Sequence, residues 1–456
     1  MRVCVIGTGY VGLVSGACLA DLGHDVRCVD VNPERVDEVN QGKSPIFEEG
    51  LDAILARNVG TRLTATTDLA AAFADADVVL VCVGTPFDGE KIDLRYVIAA
   101  GRELGECLRT RSDYCVIVIK STVVPGTTMG LFRDALEQTS GKRAGPDFGL
   151  GMNPEFLAEG VAVKDFMEPD RIVLGGIDDR SVDTLALMYQ SFSDVPIIRT
   201  HPSTAEMIKY TSNSLLATLI SFSNEIARIC EAIPDMDVAD VMTGVHKMKH
   251  LTYRDTGGTP RSVSAASFLW AGCGFGGSCF PKDVKALVAQ ARQLGSPARL
   301  LADVIAVNEE QPSRFLGHLR AVYPSLKGLT VAVLGLAFKP GTDDIRESPA
   351  LKLVPALVRE GARVVCHDPV AMENFRQALQ GNGADTDGVV FEADLARAVS
   401  DCAAVMLVTS WPDYADLPRL LESLEVPPLL VDGRRFIAKD RYARYAGIGL
   451  PLVRAQ

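Results

Sequence analysis

Gly276-Gly277-Ser278-Cys279-Phe280-Pro281, followed at once by Lys282-Asp283, puts a cysteine in a glycine-rich turn just ahead of a proline. Proline suits the first position of a helix, and glycine lets backbone approach a ligand closely. The unsatisfied amides and positive end of such a helix favour a thiolate. Lys282 and Asp283 then fall in the first turn, within reach of the sulfur. The alternative, a small apolar residue buried in a turn, accounts for neither the paired glycines nor the Pro-Lys-Asp helix start. Cys279 is therefore a candidate nucleophile. A bound nicotinamide together with an activated thiol can take an alcohol past the aldehyde to an acid.

A dinucleotide fingerprint stands at the front of the chain. Gly7-Thr8-Gly9-Tyr10-Val11-Gly12 follows an apolar strand, Arg2–Ile6, and opens a helix. Gly7 makes the turn, Gly9 admits a pyrophosphate to the backbone, and Gly12 lets helix pack on strand. Asp30 ends the next strand, eighteen residues after Gly12, where a carboxylate takes a ribose hydroxyl and repels a 2′-phosphate. NAD is expected over NADP. FAD shares the fingerprint and is the main competitor.

Three further strands end in polar residues: Val83-Gly84-Thr85-Pro86, Lys120-Ser121-Thr122, and Asn153-Pro154-Glu155-Phe156-Leu157-Ala158-Glu159. Ligands of wound sheets collect outside the carboxyl ends of strands. Taken singly these are ordinary turn residues; their clustering at one sheet edge makes them cofactor and active-site candidates. Lys209 and Asn213 stand four apart on one helix face, among Met207, Ile208, Leu215 and Leu216, which suggests a substantially buried helix. A buried lysine needs a partner or a task; the competing reading is a side chain snorkelling to water. Lys339 and Arg346, in the Phe338-to-Arg346 stretch, suit phosphate groups or are simple loop charges. His246 and His250 could share a helix face, but no third ligand accompanies them, and no metal is expected.

Elements must carry these residues to one place. Alternating strands and helices up to about residue 200 predict a parallel sheet covered on both faces: strands Arg2–Ile6, Asp25–Val29, Val78–Val83, Tyr114–Ile119 and Phe148–Met152, ending with Val195–Ile198. Ser203–Ile233 and Leu301–Tyr323 have helical periodicity, separated by an irregular stretch over 243–277. Alternation resumes near Lys327, with strands at Leu329–Leu334, Arg363–His367, Ala403–Thr409 and a last one at Leu429–Asp432, and a helix at Ser348–Glu360. The expected architecture is α/β: a Rossmann-like domain over 1–200, a helical middle with one long central helix over 201–326, and a second Rossmann-like domain over 327–456. The tail after Leu450 should be loose.

The formal charge of −12 over 456 residues argues against nucleic-acid or membrane-surface binding. Eleven cysteines without regular spacing suggest free thiols in a reducing cytoplasm. Cys4, Cys82, Cys115 and Cys366 lie in strand-like runs and should be core residues. With a strand expected from residue 2, no leader is expected, and no apolar run reaches spanning length.

Taken together these segments resemble the UDP-glucose/GDP-mannose 6-dehydrogenase family over nearly the whole chain. The resemblance rests on Gly7-to-Gly12, Val83-to-Pro86, Ser121-Thr122-Val123, Asn153-to-Gly160, Lys209 with Asn213, Gly274-to-Asp283, and Phe338-Lys339 with Arg346. It implies oxidation of a sugar C6 alcohol to a carboxylate with two NAD and one water, UDP-glucose being the favoured substrate. It implies Cys279 as the nucleophile and Lys209 and Asn213 as stabilisers of the developing alkoxide. Asp283 and Glu155 would assist proton transfers, and Thr122 would hold a water. By the same resemblance Asp30, Arg35, Thr85, Thr122, Glu155, Lys282 and Arg346 join Gly7, Gly9, Tyr10, Val11 and Gly12 at the cofactor. Glu155, Phe156, Leu157, Glu159, Lys209, Asn213, Phe268, Leu269, Gly272, Gly276 and Lys339 would meet the nucleotide sugar. The family's Arg-Ile-Gly before the glycine turn has its nearest counterpart in Arg261, whose spacing is about two residues too long, and Met248–Thr259 departs from the family pattern. Alternatives are the same chemistry on GDP-mannose or a UDP-N-acetylhexosamine, a two-electron hydroxyacid dehydrogenase that needs no thiol, and a non-catalytic binding protein. A homodimer through the long central helix is expected, because that helix has more apolar surface than one chain can cover.

Overall fold

Valine- and isoleucine-rich runs too short for helices become the inner strands of two wound sheets. The computed structural model describes residues 1–381, 383 and 387–452. It divides into two compact units, Met1–Ser212 and Asn213–Gln456. The expected loose tail lies mostly outside the described residues.

The first unit is built on eight strands: β1 (Arg2–Ile6), β2 (Asp25–Val29), β3 (Leu63–Thr66), β4 (Val78–Val81), β5 (Val116–Ile119), β6 (Gly149–Met152), β7 (Ile172–Gly176) and β8 (Ile197–Thr200). Their order is β3-β2-β1-β4-β5-β6-β7-β8. Side chains alternate across the sheet: Val3 and Val5 enter the core on one face, Cys4 and Ile6 the core on the other. Each such fully buried aliphatic side chain is worth about 1.5–3 kcal/mol. The order in which strands are added reverses at β1, so the loops after β1 and β4 flank the crevice where a wound sheet binds its ligand. The expectation of a wholly parallel sheet fails at one seam: β6 and β7 pair antiparallel, Gly151 opposite Gly176. β3 and β7 were not anticipated, being a four-residue strand and a strand ending in Gly175-Gly176. The strand expected at Val195–Ile198 starts at Ile197, because Pro196 has no amide for a ladder.

The second unit contains a six-stranded parallel sheet, ordered β13-β12-β11-β14-β15-β16. Its strands are β11 (Thr330–Leu334), β12 (Arg363–His367), β13 (Val389–Phe391), β14 (Ala404–Leu407), β15 (Leu429–Asp432) and β16 (Tyr445–Gly447). β15 is thus not the last strand, as expected, but is followed by the short β16. The stretch over 243–277 is less irregular than its composition suggests. It closes a hairpin of β9 (Thr252–Arg254) and β10 (Pro260–Ser262), antiparallel, and then one 3-10 turn, Ser264–Phe268. The helix Val238–His246 stops at His246, so His250 does not share its face.

The long helix runs over Pro202–Glu231, and the boundary between the units falls within it. Lys209 and Asn213 are buried, at 3% and 6% exposure. The helix as a whole is less buried than its apolar neighbours implied. Met207, Leu215, Phe222 and Ile229, spaced eight, seven and seven residues apart, are 41–55% exposed and form a stripe along one face. Among the described residues no helix is long and apolar enough to cross a membrane.

Candidate active site

In the first unit the fingerprint has the geometry that a pyrophosphate needs. Gly7 takes φ +92°, and a Cβ there would lie 2.8 Å from the Cys82 carbonyl oxygen. At Gly12 a Cβ would fall 1.9 Å from the Gly7 carbonyl oxygen, while around Gly9 the space is open. Gly9 is the N-cap of the helix Tyr10–Asp21 and offers no capping side chain, which leaves the leading amides for an anion. Asp30 accepts hydrogen bonds from the Thr8 amide and hydroxyl at 2.7 and 2.6 Å and from the Asn32 amide at 3.0 Å. Burial pushes its carboxyl up, but the bonds from Thr8 and Asn32 and the nearby Arg35 bring it below the ordinary carboxylate value. An ionised acceptor of this kind fits a ribose diol and opposes a 2′-phosphate. Thr85 and Thr122 meet at neighbouring strand ends, the Thr85 hydroxyl donating to the Thr122 carbonyl at 2.8 Å. These residues fit a nicotinamide dinucleotide.

On the same unit Lys209 is a partnered ammonium rather than a snorkelling one. Its Nζ lies 3.0 Å from Glu155 Oε1, both side chains being at most 5% exposed, and 5.5 Å from the Phe156 ring centroid. Burial pushes Glu155 up, yet Lys209, the Leu157 amide at 2.8 Å and Lys120 together hold it below its ordinary range. Glu155 is thus a buried anion, and Leu157 and Glu159 follow it in the same loop.

The second unit holds the cysteine. Cys279 is the half-buried N-cap of the helix Phe280–Gln293, with Pro281 in its first turn. Its Sγ lies 3.6 Å from the Ser278 hydroxyl. Asp283, at 1% exposure, donates its amide to the Cys279 carbonyl at 2.9 Å and accepts from the Asn213 side chain at 2.6 Å. The Lys282 ammonium turns to the Asp283 carboxylate. The other strand cysteines are core residues, as expected: burial pushes Cys4 and Cys82 up to about 12 and Cys115 up to about 11, and Cys366 higher still.

The turn that carries Cys279 rests on the loop after β11. A Cβ on Gly276 would lie 2.4 Å from the Glu347 carbonyl oxygen, and one on Gly277 (φ +81°) 2.7 Å from the Phe338 ring. The Gly277 amide donates to the Arg346 carbonyl at 2.8 Å. Upstream, the turn is held by side chains that sequence reasoning did not single out. Asn308 bonds both the amide and the carbonyl of Phe275, at 2.8 and 2.9 Å. Asn224 accepts from the Gly272 amide, Gln311 donates to its carbonyl, and Arg434 donates to the Gly274 carbonyl. The available signal was a polar residue inside an apolar helical face: Asn224 has Ile220 and Ala227 one turn away on either side, and it is wholly buried.

Other candidates are placed as follows. Phe268 and Phe275 both pack against Phe280, with centroids 6.0 Å apart in each pair, and Leu269 and Gly272 are buried beside them in sequence. Lys339 lies over the Phe338 ring. Arg346 is an exposed side chain held by Asp344. Arg261 stands on the exposed hairpin, 3.1 Å from Asp255. His246 bonds the Leu269 carbonyl, and among the described residues no group of three or more ligating side chains could hold a metal.

Three models of the UDP-glucose/GDP-mannose dehydrogenase family match in order: the NAD binding domain over residues 1–193, the central domain over 203–310 and the UDP binding domain over 332–439. The chain is 42% identical to the UDP-glucose 6-dehydrogenase of Haloferax volcanii over 98% of its own length and 100% of that protein's. It is 41% identical to the GDP-mannose 6-dehydrogenase of Pseudomonas putida, over 85% of this chain and 84% of the other. The solved UDP-glucose dehydrogenase of Pyrobaculum islandicum superposes with a TM-score of 0.87 at 36% identity, covering 98% of this chain and 97% of that one.

Asn308→Ala leaves the buried amide and carbonyl of Phe275 without partners, a cost of about 1–3 kcal/mol. Turnover should fall at least about tenfold, while NADH affinity, titrated by fluorescence, should fall much less, because the fingerprint and Asp30 lie in the other unit. Unchanged turnover would show that the turn does not depend on this tether.

Proposed function

The chain belongs to the UDP-glucose/GDP-mannose dehydrogenase family, whose members are NAD-dependent nucleotide-sugar dehydrogenases, and we propose that it oxidises UDP-glucose at C6 to UDP-glucuronate in two two-electron steps through a covalent bond to Cys279. The thiol route rests on one observation, a cysteine at a helix start in a turn whose backbone is seated by glycines and tethered by Asn308, Gln311 and Arg434. UDP-glucose is favoured by the 42% identity with a UDP-glucose 6-dehydrogenase along the full length.

NAD, when bound, accepts the hydride in each oxidation. The chain's residues do the rest. In the first step the C6 hydroxyl gives up its proton to water, Lys209 and Asn213 stabilise the alkoxide, and loss of the first hydride from C6 leaves the aldehyde. The Cys279 thiolate then adds to the aldehyde carbon, giving a thiohemiacetal that cannot escape to water. Loss of the second hydride gives a thioester. Water, positioned by Thr122 and deprotonated with the help of Asp283 or Glu155, attacks its carbonyl carbon and releases the carboxylate and the thiolate. The cofactor contacts we assign are the fingerprint with Asp30, Arg35, Thr85, Thr122, Lys282 and Arg346. Those for the sugar nucleotide are the Glu155–Glu159 loop, Phe268 to Gly272, Gly276, Lys339 and Arg261. The three-part division at 1–200, 201–326 and 327–456 is our functional reading of the chain. We assign it to the cytoplasm, where eleven unbridged thiols stay reduced.

The exposed stripe Met207, Leu215, Phe222 and Ile229 supports a homodimer through the long helix, since unpartnered apolar stripes of this kind mark interfaces. Phe222→Glu should convert a dimer into a monomer in sedimentation; a wild-type chain that sediments as a monomer would end this assignment.

Two NADH should form per sugar nucleotide consumed, and Cys279→Ser should abolish acid formation with NAD affinity retained. One NADH per substrate indicates a two-electron enzyme, and unchanged turnover in the variant removes the covalent route. A panel of UDP-glucose, GDP-mannose and UDP-N-acetylglucosamine decides the sugar, the second being a real competitor in view of the Pseudomonas relative.

Glu155 is held below its ordinary value chiefly against burial, by Lys209. Removing that charge in Lys209→Met lets burial prevail and raises the carboxyl. The acid limb of the residual kcat should therefore move to higher pH. A limb that stays in place would dissociate Glu155 from the rate.

A further inference from the structure

Glu48 is a carboxylate at 7% exposure that the chemistry above does not use. It lies in the loop between the helices Pro33–Asn40 and Leu51–Asn58. One oxygen accepts from the Gly160 amide at 2.7 Å and from the Tyr10 hydroxyl. The other accepts from the amides of Ala162 at 2.7 Å and Val163 at 3.4 Å. The Tyr10 hydroxyl in turn accepts from the Gly160 amide at 2.8 Å. Tyr10 directly follows Gly9 in the dinucleotide turn, and Gly160 closes the Glu155–Gly160 stretch. A single buried anion therefore joins the cofactor turn to the loop that follows β6, all within the first unit.

We propose that Glu48 is a positioning residue that fastens the Glu155–Gly160 loop to Tyr10, so that seating NAD on the turn orders the loop that meets the sugar nucleotide. The proposal rests on the reading in which that loop contacts substrate. Its chemistry requires a carboxylate. Each of the four groups named above donates, and only an ionised carboxyl accepts at both oxygens. Glutamine has the same shape but turns an NH2 towards other donors at one end.

The test uses the full-length protein, with Glu48→Gln, Tyr10→Phe and the double variant. Hydrogen exchange of a peptide covering 155–163 is measured with and without NAD. In the wild type NAD should slow exchange there, and in both single variants that response should be lost. Steady-state kinetics should show a KM for UDP-glucose raised about tenfold in Glu48→Gln, with kcat changed by less than about twofold. Tyr10→Phe should add little in the Glu48→Gln background, because the two act through one junction. A retained NAD response with wild-type KM in Glu48→Gln overturns the proposal. A lowered melting temperature with the NAD response and the KM intact overturns it too, since that outcome is stability alone. If the wild type fails to oxidise UDP-glucose, the substrate assignment falls, while the exchange comparison, which needs only NAD, still decides the junction.

Discussion

The cysteine turn exists because two backbone segments come closer than any Cβ allows. Gly276 lies against the Glu347 carbonyl and Gly277 against the Phe338 ring, so any side chain at either position would push the turn off the loop that supports it. The loop makes its own concession: Glu347 is one of three non-glycine residues at positive φ among those described, at +52°. Such a conformation costs on the order of 1–3 kcal/mol and persists only where its surroundings impose it. Here the surroundings are hydrogen bonds. The Arg346 carbonyl takes the Gly277 amide, while Asn308, Gln311, Asn224 and Arg434 satisfy the amides and carbonyls on the approach from Gly272 to Phe275. A reactive side chain must be held within a fraction of an ångström to react efficiently, and these buried hydrogen bonds restrict the backbone on the approach to Cys279.

Buried charge is the second constraint. Lys209 with Glu155 in one unit, and Asp283 with Lys282 and Asn213 in the other, place ionic groups where water does not compensate them. Ion pairs of this kind seldom add net stability over apolar residues of equal volume, so their presence is better explained by what they do to charge. Beside Lys209 the Glu155 carboxylate stays below its ordinary range although burial drives it the other way. The two groups can then respond to a proton or an oxyanion without first being solvated.

Much of this was legible in the residues themselves. The fingerprint, Asp30, the Cys279 turn, the long helix and both wound sheets follow from local rules: glycine where a Cβ cannot fit, an acid at the end of the second strand, periodicity of 2 or 3.6. What escaped was set at a distance. β3, β7, β13 and β16 are strands of three to five residues whose pairing depends on a neighbour already in place. The antiparallel seam between β6 and β7 leaves no trace in either strand's composition. Polar side chains such as Asn308 and Glu48 look like ordinary helix and loop residues until the backbone groups they satisfy, 33 and 112 residues away, come into view.

The sequence by itself determined which groups are available, a dinucleotide turn, a cysteine in a glycine-rich turn, a lysine and an asparagine one helical turn apart, because each depends on residue type within a few positions. Only the tertiary structure decided which charges are buried and with whom. It turned Lys209 to Glu155 instead of to water, turned Lys282 to Asp283, and tied the approach to the cysteine with side chains from distant helices. Desolvation and hydrogen-bond satisfaction depend on every segment that surrounds a group, and no short window of sequence contains those segments.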